Sequence, residues 1–185
     1  MAYIALASML VVYFSTWEQS TIAIYPGFLL VVGVVMGIAL RSRFQVDEDI
    51  DEAEGRSIAY WTFIALIGVG LAGVVSSFTL MQLPAEVTAL SVIDQKIYAA
   101  LMAIAEEAFF RGFICNLFLI KFGEAGATFA GGAVGSIYHL ARYGASTEAI
   151  LFIFMAFSVL SFVSVRSGRI SPAMTAHLVH NLLAA

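Results

Sequence analysis

The segment that decides the fold is IAYWTFIALIGVGLAGVVSSFTLMQ, residues 58–82, which contains no charged side chain. A bilayer core takes about 20 helical residues, so this run is long enough to cross it. Helices and closed barrels alone satisfy the backbone hydrogen bonds inside lipid, and the run lacks the alternating pattern of a barrel strand. We therefore predict a transmembrane helix here.

The composition of the whole chain agrees with a membrane location. Of its 185 residues, 61% are hydrophobic and 12% are charged, whereas soluble domains are about half apolar and about a quarter charged. We therefore predict an all-α protein, a polytopic transmembrane helix bundle in the cell membrane, surrounded by the lipid bilayer. Lysine and arginine form no basic stripe, so we expect no nucleic acid partner.

Polar breaks between apolar runs predict about seven membrane helices. The runs span residues 2–17, 22–40, 58–82, 92–120, 125–141, 147–165 and 170–185. We divide the chain into N-terminal membrane helices at 1–90 and a C-terminal core at 91–185. The loop at 41–57 holds six acidic residues, and we interpret it as a solvated loop.

The distribution of basic residues orients the bundle, because cytoplasmic loops carry an excess of lysine and arginine. If the N-terminus is cytoplasmic, six basic residues lie on that side: Arg41, Arg43, Arg56, Lys121, Arg166 and Arg169. Lys96 and Arg142 then lie outside, and Arg111 lies within the membrane. We therefore predict a multi-pass protein with a cytoplasmic N-terminus.

The fourth run contains AEEAFFRGFI, residues 105–114, with three ionisable side chains in an apolar segment. Each costs about 2.5–3.5 kcal/mol to insert into a bilayer, so such residues line cavities or pair with one another. Glu107 and Arg111 are four residues apart and can form an ion pair on one helix face. Glu106 is rotated by about 100° from Glu107, which leaves it as the candidate general base.

The last run also places polar side chains among apolar ones. His177 and Asn181 in HLVHN, residues 177–181, share a helix face and can both donate hydrogen bonds to a developing oxyanion. His180 lies about 60° from His177 around the helix, and we expect it to contact another helix. All three histidines lie in apolar runs, with His139 in the fifth, so they and the acidic residues can converge on one cavity.

Small residues lie beside His139 in the fifth run. Gly131 and Gly135 are four residues apart, which allows a neighbouring helix to approach closely and hold this histidine in place. The single cysteine, Cys115, excludes an internal disulfide, and we interpret it as a small packing residue. HExxH, GxSxG and a pair of buried aspartates are all missing, so the residues favour water activated by glutamate and histidine.

Three motifs, in order along the 91–185 core, resemble those of one known family. EEAFFR is similar to its EExxxR motif, GSIYHLARYG supplies the histidine of its second motif as His139, and HLVHN supplies HxxxN as His177 and Asn181. The chain from about residue 90 onward resembles the CAAX protease and bacteriocin-processing (Abi) family, which includes the type II CAAX prenyl endopeptidases. The resemblance implies an intramembrane endopeptidase.

The resemblance also implies roles for four catalytic residues. Glu106 and His139 would activate the attacking water, and His177 and Asn181 would stabilise the tetrahedral oxyanion. A two-histidine, one-carboxylate zinc site made of Glu106, His139 and His177 is the alternative. We expect no metal cofactor, because Asn181 and a second glutamate suit the orientation of water and oxyanion better than metal ligation.

The resemblance implies roles for two further residues, and the chain departs from the family pattern at one position. Glu107 and Arg111 would support and position the catalytic groups. The second motif of the family is FxxxH, and the position of its phenylalanine is Gly135 in this chain. The packing around His139 is therefore left open by the sequence.

The expected substrate is a peptide, or a prenylated or membrane-anchored protein, cleaved near or within the membrane. Two other functions would use the same polar residues. A non-catalytic protein could bind a peptide or confer self-immunity to a bacteriocin, but the intact set of catalytic residue types disfavours it. A proton-coupled transporter could relay protons through glutamate and histidine, but the small size and the lack of inverted repeats disfavour that role.

Overall fold

The described part of the chain is helical. The structure, a computed structural model, describes residues 20–41, 58–77, 85–143 and 146–185. Its elements are α1 (Ser20–Arg41), α2 (Ile58–Ser76), the short α3 (Ala85–Thr88), α4 (Val92–Phe109), a π-helical segment (Phe110–Cys115), α5 (Asn116–Tyr143), α6 (Thr147–Ser167) and α7 (Ser171–Ala184). These residues include no strand, so the predicted all-α class is confirmed. The predicted run at 2–17 and residues 42–57 of the acidic loop lie outside the described residues.

α2 ends within the third predicted run, whose residues 78–82 lie outside the described part of the chain. α2 ends at Ser76, before the predicted end at 82, and Ser77 has a left-handed φ of 56° that cannot continue a helix. The hydroxyl of Ser76 donates to the carbonyl oxygen of Ala72 at 2.7 Å. Hydropathy could not locate this end, because the residues that follow Ser77 are still largely apolar.

A glycine separates the fourth predicted run from the fifth. Gly123 has φ 67° and ψ −169°, and it divides α5 into two helical stretches. A left-handed φ favours glycine because this residue has no Cβ to clash with the backbone. The fourth run therefore forms α4, the π-helical segment and the first turns of α5, whereas the stretch after Gly123 carries His139.

Two helices of the described part, α2 and α6, are long and apolar enough to cross a membrane by length and composition. α1 contains a shorter apolar stretch, Ile24–Leu40. Large apolar side chains are exposed on several helices, among them Ile24, Phe63, Val74, Phe129 and Ile137. Such a surface is unfavourable in water and ordinary in lipid. The count of seven membrane helices stays a prediction.

Small residues bring α5 and α6 together. A Cβ at Gly131 would overlap the side chain of Ser161, and a Cβ at Gly135 would overlap the ring of Phe157. The close approach expected from these two glycines is therefore present, and α6 is the helix that makes it. This contact faces the turn of α5 that carries His139.

The N-terminal helix α1 packs closely on the end of α4. A Cβ at Gly33 would overlap the backbone of Ala108, and a Cβ at Gly37 would lie 2.9 Å from the carbonyl oxygen of Gly112. Backbones approach this closely in membrane proteins through small residues. α1 therefore packs against the turn in which α4 passes into the π-helical segment.

Candidate active site

The two acidic residues lie in the last turn of α4. Glu106 is 5% exposed and Glu107 is fully buried. The N–H of Phe110, the first residue of the π-helical segment, is shared between the carbonyl oxygens of Glu106 and Glu107. π-Helical turns are rare and occur frequently at functional sites. Here the turn follows directly after the carboxylates.

Glu107 is held by two partners that contact the same oxygen. Its Oε1 lies 2.9 Å from Arg111 Nη1 and 2.7 Å from His177 Nδ1. Arg111 also donates through Nη2 to the carbonyl oxygen of Phe157 at 3.1 Å. The ion pair with Arg111 follows from the four-residue spacing. The histidine contact joins residues 70 positions apart, and no spacing within one helix indicates it.

Glu106 faces two imidazoles from two other helices. Its Oε1 lies 3.9 Å from His139 Nε2 on α5, and its Oε2 lies 3.6 Å from His177 Nε2 on α7. Both separations exceed a direct N–H···O hydrogen bond, which spans about 2.7–3.2 Å. Three helices thus converge on the Glu106 carboxylate, as the positions of these residues in apolar runs predict.

The tautomer of His139 is set by the backbone of its own helix. Nδ1 lies 2.8 Å from the carbonyl oxygen of Gly135, four residues earlier. A carbonyl oxygen only accepts, so Nδ1 carries the proton and donates. Nε2 is then the nitrogen that faces Glu106, and in the neutral ring it is the one able to take a proton.

The α7 residues His177 and Asn181 are both tied to α4. His177 donates through Nδ1 to the Glu107 carboxylate, which directs its Nε2 toward Glu106. Asn181, one turn further on, donates through Nδ2 to the carbonyl oxygen of Ala99 at 3.3 Å. An amide nitrogen has two N–H donors, and this bond uses one of them.

Five of the six predicted site residues lie within 2.7–3.9 Å of one another through polar atoms: Glu106, Glu107, Arg111, His139 and His177. The sixth, Asn181, lies one turn from His177 and contacts α4 instead. His180 lies outside this group, with its ring centroid 5.4 Å from that of Phe152 on α6, and so makes the expected contact with another helix. Cys115 is buried at the end of the π-helical segment.

The sequence did not indicate Phe157 of α6. Its ring centroid lies 5.3 Å from that of His139 and 5.8 Å from that of His177, and Arg111 Cζ lies 4.5 Å from it. The ring also occupies the space beside Gly135, where the family motif has a phenylalanine. One phenylalanine among the many apolar residues of α6 carries no signal in a single sequence.

Three of these side chains would be the ligands of a zinc ion if one were bound. The donor atoms of Glu106, His139 and His177 are of the kinds that zinc takes. Across residues 20–41, 58–77, 85–143 and 146–185, however, no group of three or more His, Cys, Asp or Glu side chains is arranged to hold a metal ion.

Fold and site together define a helical membrane protein with a buried cluster of glutamate, histidine and arginine. Residues 88–183 match the family described as type II CAAX prenyl endopeptidase Rce1-like, and this range includes every predicted site residue. The match spans about half of the chain, and the chain belongs to this family of membrane proteases. Comparisons with curated proteins and with solved structures gave no match.

Proposed function

We propose that the protein is an intramembrane endopeptidase that hydrolyses a peptide bond near or within the membrane. The observation that carries this proposal is the convergence of Glu106 with His139 and His177, at 3.9 Å and 3.6 Å, from three different helices. Polar atoms separated by more than about 3.5 Å are commonly bridged by water. A substrate water bound between these atoms would be in contact with two groups that can accept its proton.

Glu106 and His139 are proposed to activate that water. As its oxygen forms a bond to the carbonyl carbon of the scissile peptide, its proton passes to Glu106 or to His139 Nε2. The carbon–nitrogen bond then breaks, and the same proton is delivered to the leaving amine. Positioned general bases of this type contribute about 10²–10⁴-fold in rate.

His177 and Asn181 are proposed to stabilise the oxyanion of the tetrahedral intermediate. When the His177 ring carries both protons, Nε2–H can donate to the oxyanion while Nδ1–H keeps its bond to Glu107. The second N–H of Asn181 is the other donor. Arg111 holds Glu107 in place, so the ion pair supports His177 indirectly.

We further propose about seven membrane helices with a cytoplasmic N-terminus. Arg166 and Glu124 form an ion pair at 3.1 Å, so the end of α6 and the α5 turn after Gly123 lie at the same end of the bundle. Lys96 donates to the carbonyl oxygen of Leu182 at 2.8 Å, so the start of α4 and the end of α7 also lie at one end of the bundle. α5 therefore runs antiparallel to α6, and α4 runs antiparallel to α7, as the proposed orientation requires.

Cleavage by the purified protein tests the proposed activity. Farnesylated and unprenylated peptides are offered in mild detergent, and products are identified by mass spectrometry. We expect Glu106→Ala and His139→Ala to abolish cleavage while thermal unfolding stays cooperative, and His180→Ala, the matched control outside the site, to retain it. Cleavage that survives Glu106→Ala would contradict the assigned base. Peptide binding without cleavage by the parent protein would favour the non-catalytic alternative.

We propose that the reaction needs no metal ion. Elemental analysis of the purified protein, with and without chelator treatment, tests this. We expect sub-stoichiometric zinc and unchanged turnover after chelation. Stoichiometric zinc together with chelator-sensitive turnover would show that the metal-free mechanism is wrong.

A further inference from the structure

α6 carries none of the polar motif residues, yet one of its side chains contacts three of them. We propose that Phe157 is a positioning residue, which holds the rings of His139 and His177 in the orientation in which they face Glu106. This inference rests on the proposed hydrolytic function. It assigns a role to a helix that the three motifs leave out.

The Phe157 ring meets both imidazoles edge to face. The interplanar angles are 73° with His139 and 70° with His177, at centroid distances of 5.3 Å and 5.8 Å. Edge-to-face contacts within about 4.5–7 Å are a preferred aromatic geometry. Because a single ring contacts both imidazoles, the orientation of each depends on the position of the same side chain.

Phe157 also contacts the ion pair behind the imidazoles. Arg111 Cζ lies 4.5 Å from the ring centroid, within the about 6 Å range of a cation–π contact. The same guanidinium donates through Nη2 to the carbonyl oxygen of Phe157 at 3.1 Å. Side chain and backbone of one residue thus hold Arg111, which in turn holds Glu107.

The ring itself has little freedom to move. Phe157 is 5% exposed, and its ring packs at 90° against that of Phe110, with centroids 4.9 Å apart. On the other side lies Gly135, where the structure leaves no room for a Cβ. The ring is therefore confined by α5 and the π-helical segment, as a positioning residue requires.

Leucine at position 157 would keep an apolar side chain but remove the ring. Small displacements of catalytic groups can cost about 100-fold in rate. Substrate binding should change little, because His139 and His177, which Phe157 contacts, are proposed to act on the water and the oxyanion in the chemical step. The expected signature is a loss in kcat without a matching rise in KM.

Phe152 provides a matched control on the same helix. It is 8% exposed, and its ring contacts His180, the histidine outside the site. We expect Phe157→Leu to lower kcat by about 100-fold with little change in KM, and Phe152→Leu to change neither. Phe157→Tyr keeps the ring and should recover most of kcat. A parental kcat in Phe157→Leu, or equal losses in the leucine and tyrosine variants, would overturn the proposal.

A spectroscopic measurement separates this inference from the activity itself. The protein has three histidines, and histidine-selective isotope labelling lets NMR follow each ring in micelles. We expect Phe157→Leu to shift the signals of His139 and His177, whereas Phe152→Leu shifts that of His180. Unshifted His139 and His177 signals in Phe157→Leu would refute the positioning role. If Phe157→Leu shifts these signals but the parent protein cleaves no peptide, the positioning role stands and the proposed function is refuted.

Gly135→Ala tests the same role if Phe157→Leu does not fold. The added methyl would press on the Phe157 ring without removing it. We expect the same shifts of the His139 and His177 signals and a loss in kcat. Parental signals in a folded Gly135→Ala protein would count against the proposal.

Discussion

The most apolar helices and the helices that carry the site differ in how deeply they are buried. α2 and α6 are long and apolar enough to cross a membrane, yet 22% and 44% of their most apolar windows are buried in the protein. α4 carries four charged residues among its 18, and nearly every residue of its second half is buried. The helix with four charged residues is thus more enclosed by protein than these two apolar helices.

The reason is the cost of charge in hydrocarbon. An apolar helix can face lipid directly, because lipid chains and apolar side chains are equally apolar. A helix with Glu106, Glu107 and the neighbouring Arg111 must instead be enclosed. Here α1 and α7 pack along α4, and side chains of α5 and α6 lie beside Glu106 and Arg111. Unfolding free energies of variants in both regions, measured by adding SDS to mild-detergent micelles, test this contrast.

The largest effect is expected for Arg111→Met. Breaking a buried ion pair leaves an uncompensated charge and costs about 3–5 kcal/mol. Arg166→Met is the matched control, because Arg166 pairs with Glu124 in a partly exposed position, with 52% and 50% of the two side chains exposed. That pair should contribute under about 1 kcal/mol. Equal losses of unfolding free energy in the two variants would show that enclosed and exposed ion pairs do not differ in their contribution to stability.

Gly131→Ala should have the next largest effect. Its methyl would overlap Ser161 on α6, and overpacking of this type costs about 1–3 kcal/mol. Gly70→Ala on α2 is the control, because a Cβ there meets nothing within 4 Å. That variant should be more stable than the parent by about 0.4–1 kcal/mol, since alanine restricts the unfolded chain. A stabilising Gly131→Ala would contradict the close α5–α6 contact.

Glu106→Gln should change stability by under about 1 kcal/mol, although its side chain is only 6% exposed and so nearly as deeply buried as the ion pair. Its charged contacts in the described part of the chain are to histidines at 3.6 Å and 3.9 Å, and not to an arginine. Activity should nevertheless fall by about 10²–10⁴-fold. Glu107→Gln, which removes a direct partner of Arg111, should destabilise more. A larger stability loss for Glu106→Gln than for Glu107→Gln would reverse the roles assigned to the two acids.

The smallest effect is expected at the exposed surface of α2. Val74 is 76% exposed, and Val74→Ala should change stability by under about 0.5 kcal/mol. Val69 on the same helix is 5% exposed, and Val69→Ala should cost about 1 kcal/mol or more, because it leaves a cavity in the packed interior. A costly Val74→Ala would indicate that this face of α2 is covered by protein.

Local patterns account for most of the helical architecture. α1, α6 and α7 begin and end within about two residues of their predicted runs, which is the usual accuracy of such boundaries. Ser146 accepts a hydrogen bond from Ala149 N at the start of α6, and Gly168 ends it with a φ of 62°. Such capping signals depend on neighbours in sequence, so a single sequence contains them. The early end of α2 and the π-helical segment had no such signal.

Spacing along one helix likewise indicated part of the candidate site. The Glu107–Arg111 pair and the shared face of His177 and Asn181 follow from helical periodicity. The bond between His177 and Glu107, and the approach of His139 to Glu106, join different helices. Periodicity within one run cannot specify which faces of two helices meet. The sequence therefore predicted only that these polar residues converge on one cavity, and not which side chains are in contact.

The amino-acid sequence by itself determined that the chain is helical and apolar, where most helices begin and end, and which buried groups are available for chemistry. These properties depend on hydropathy and on spacings of a few residues. Tertiary structure alone decided that Glu107 is shared by Arg111 and His177, that Glu106 faces two imidazoles, and that Phe157 contacts both rings. The physical reason is that helix packing, through the shapes of small and aromatic residues, sets contacts between groups far apart in the chain.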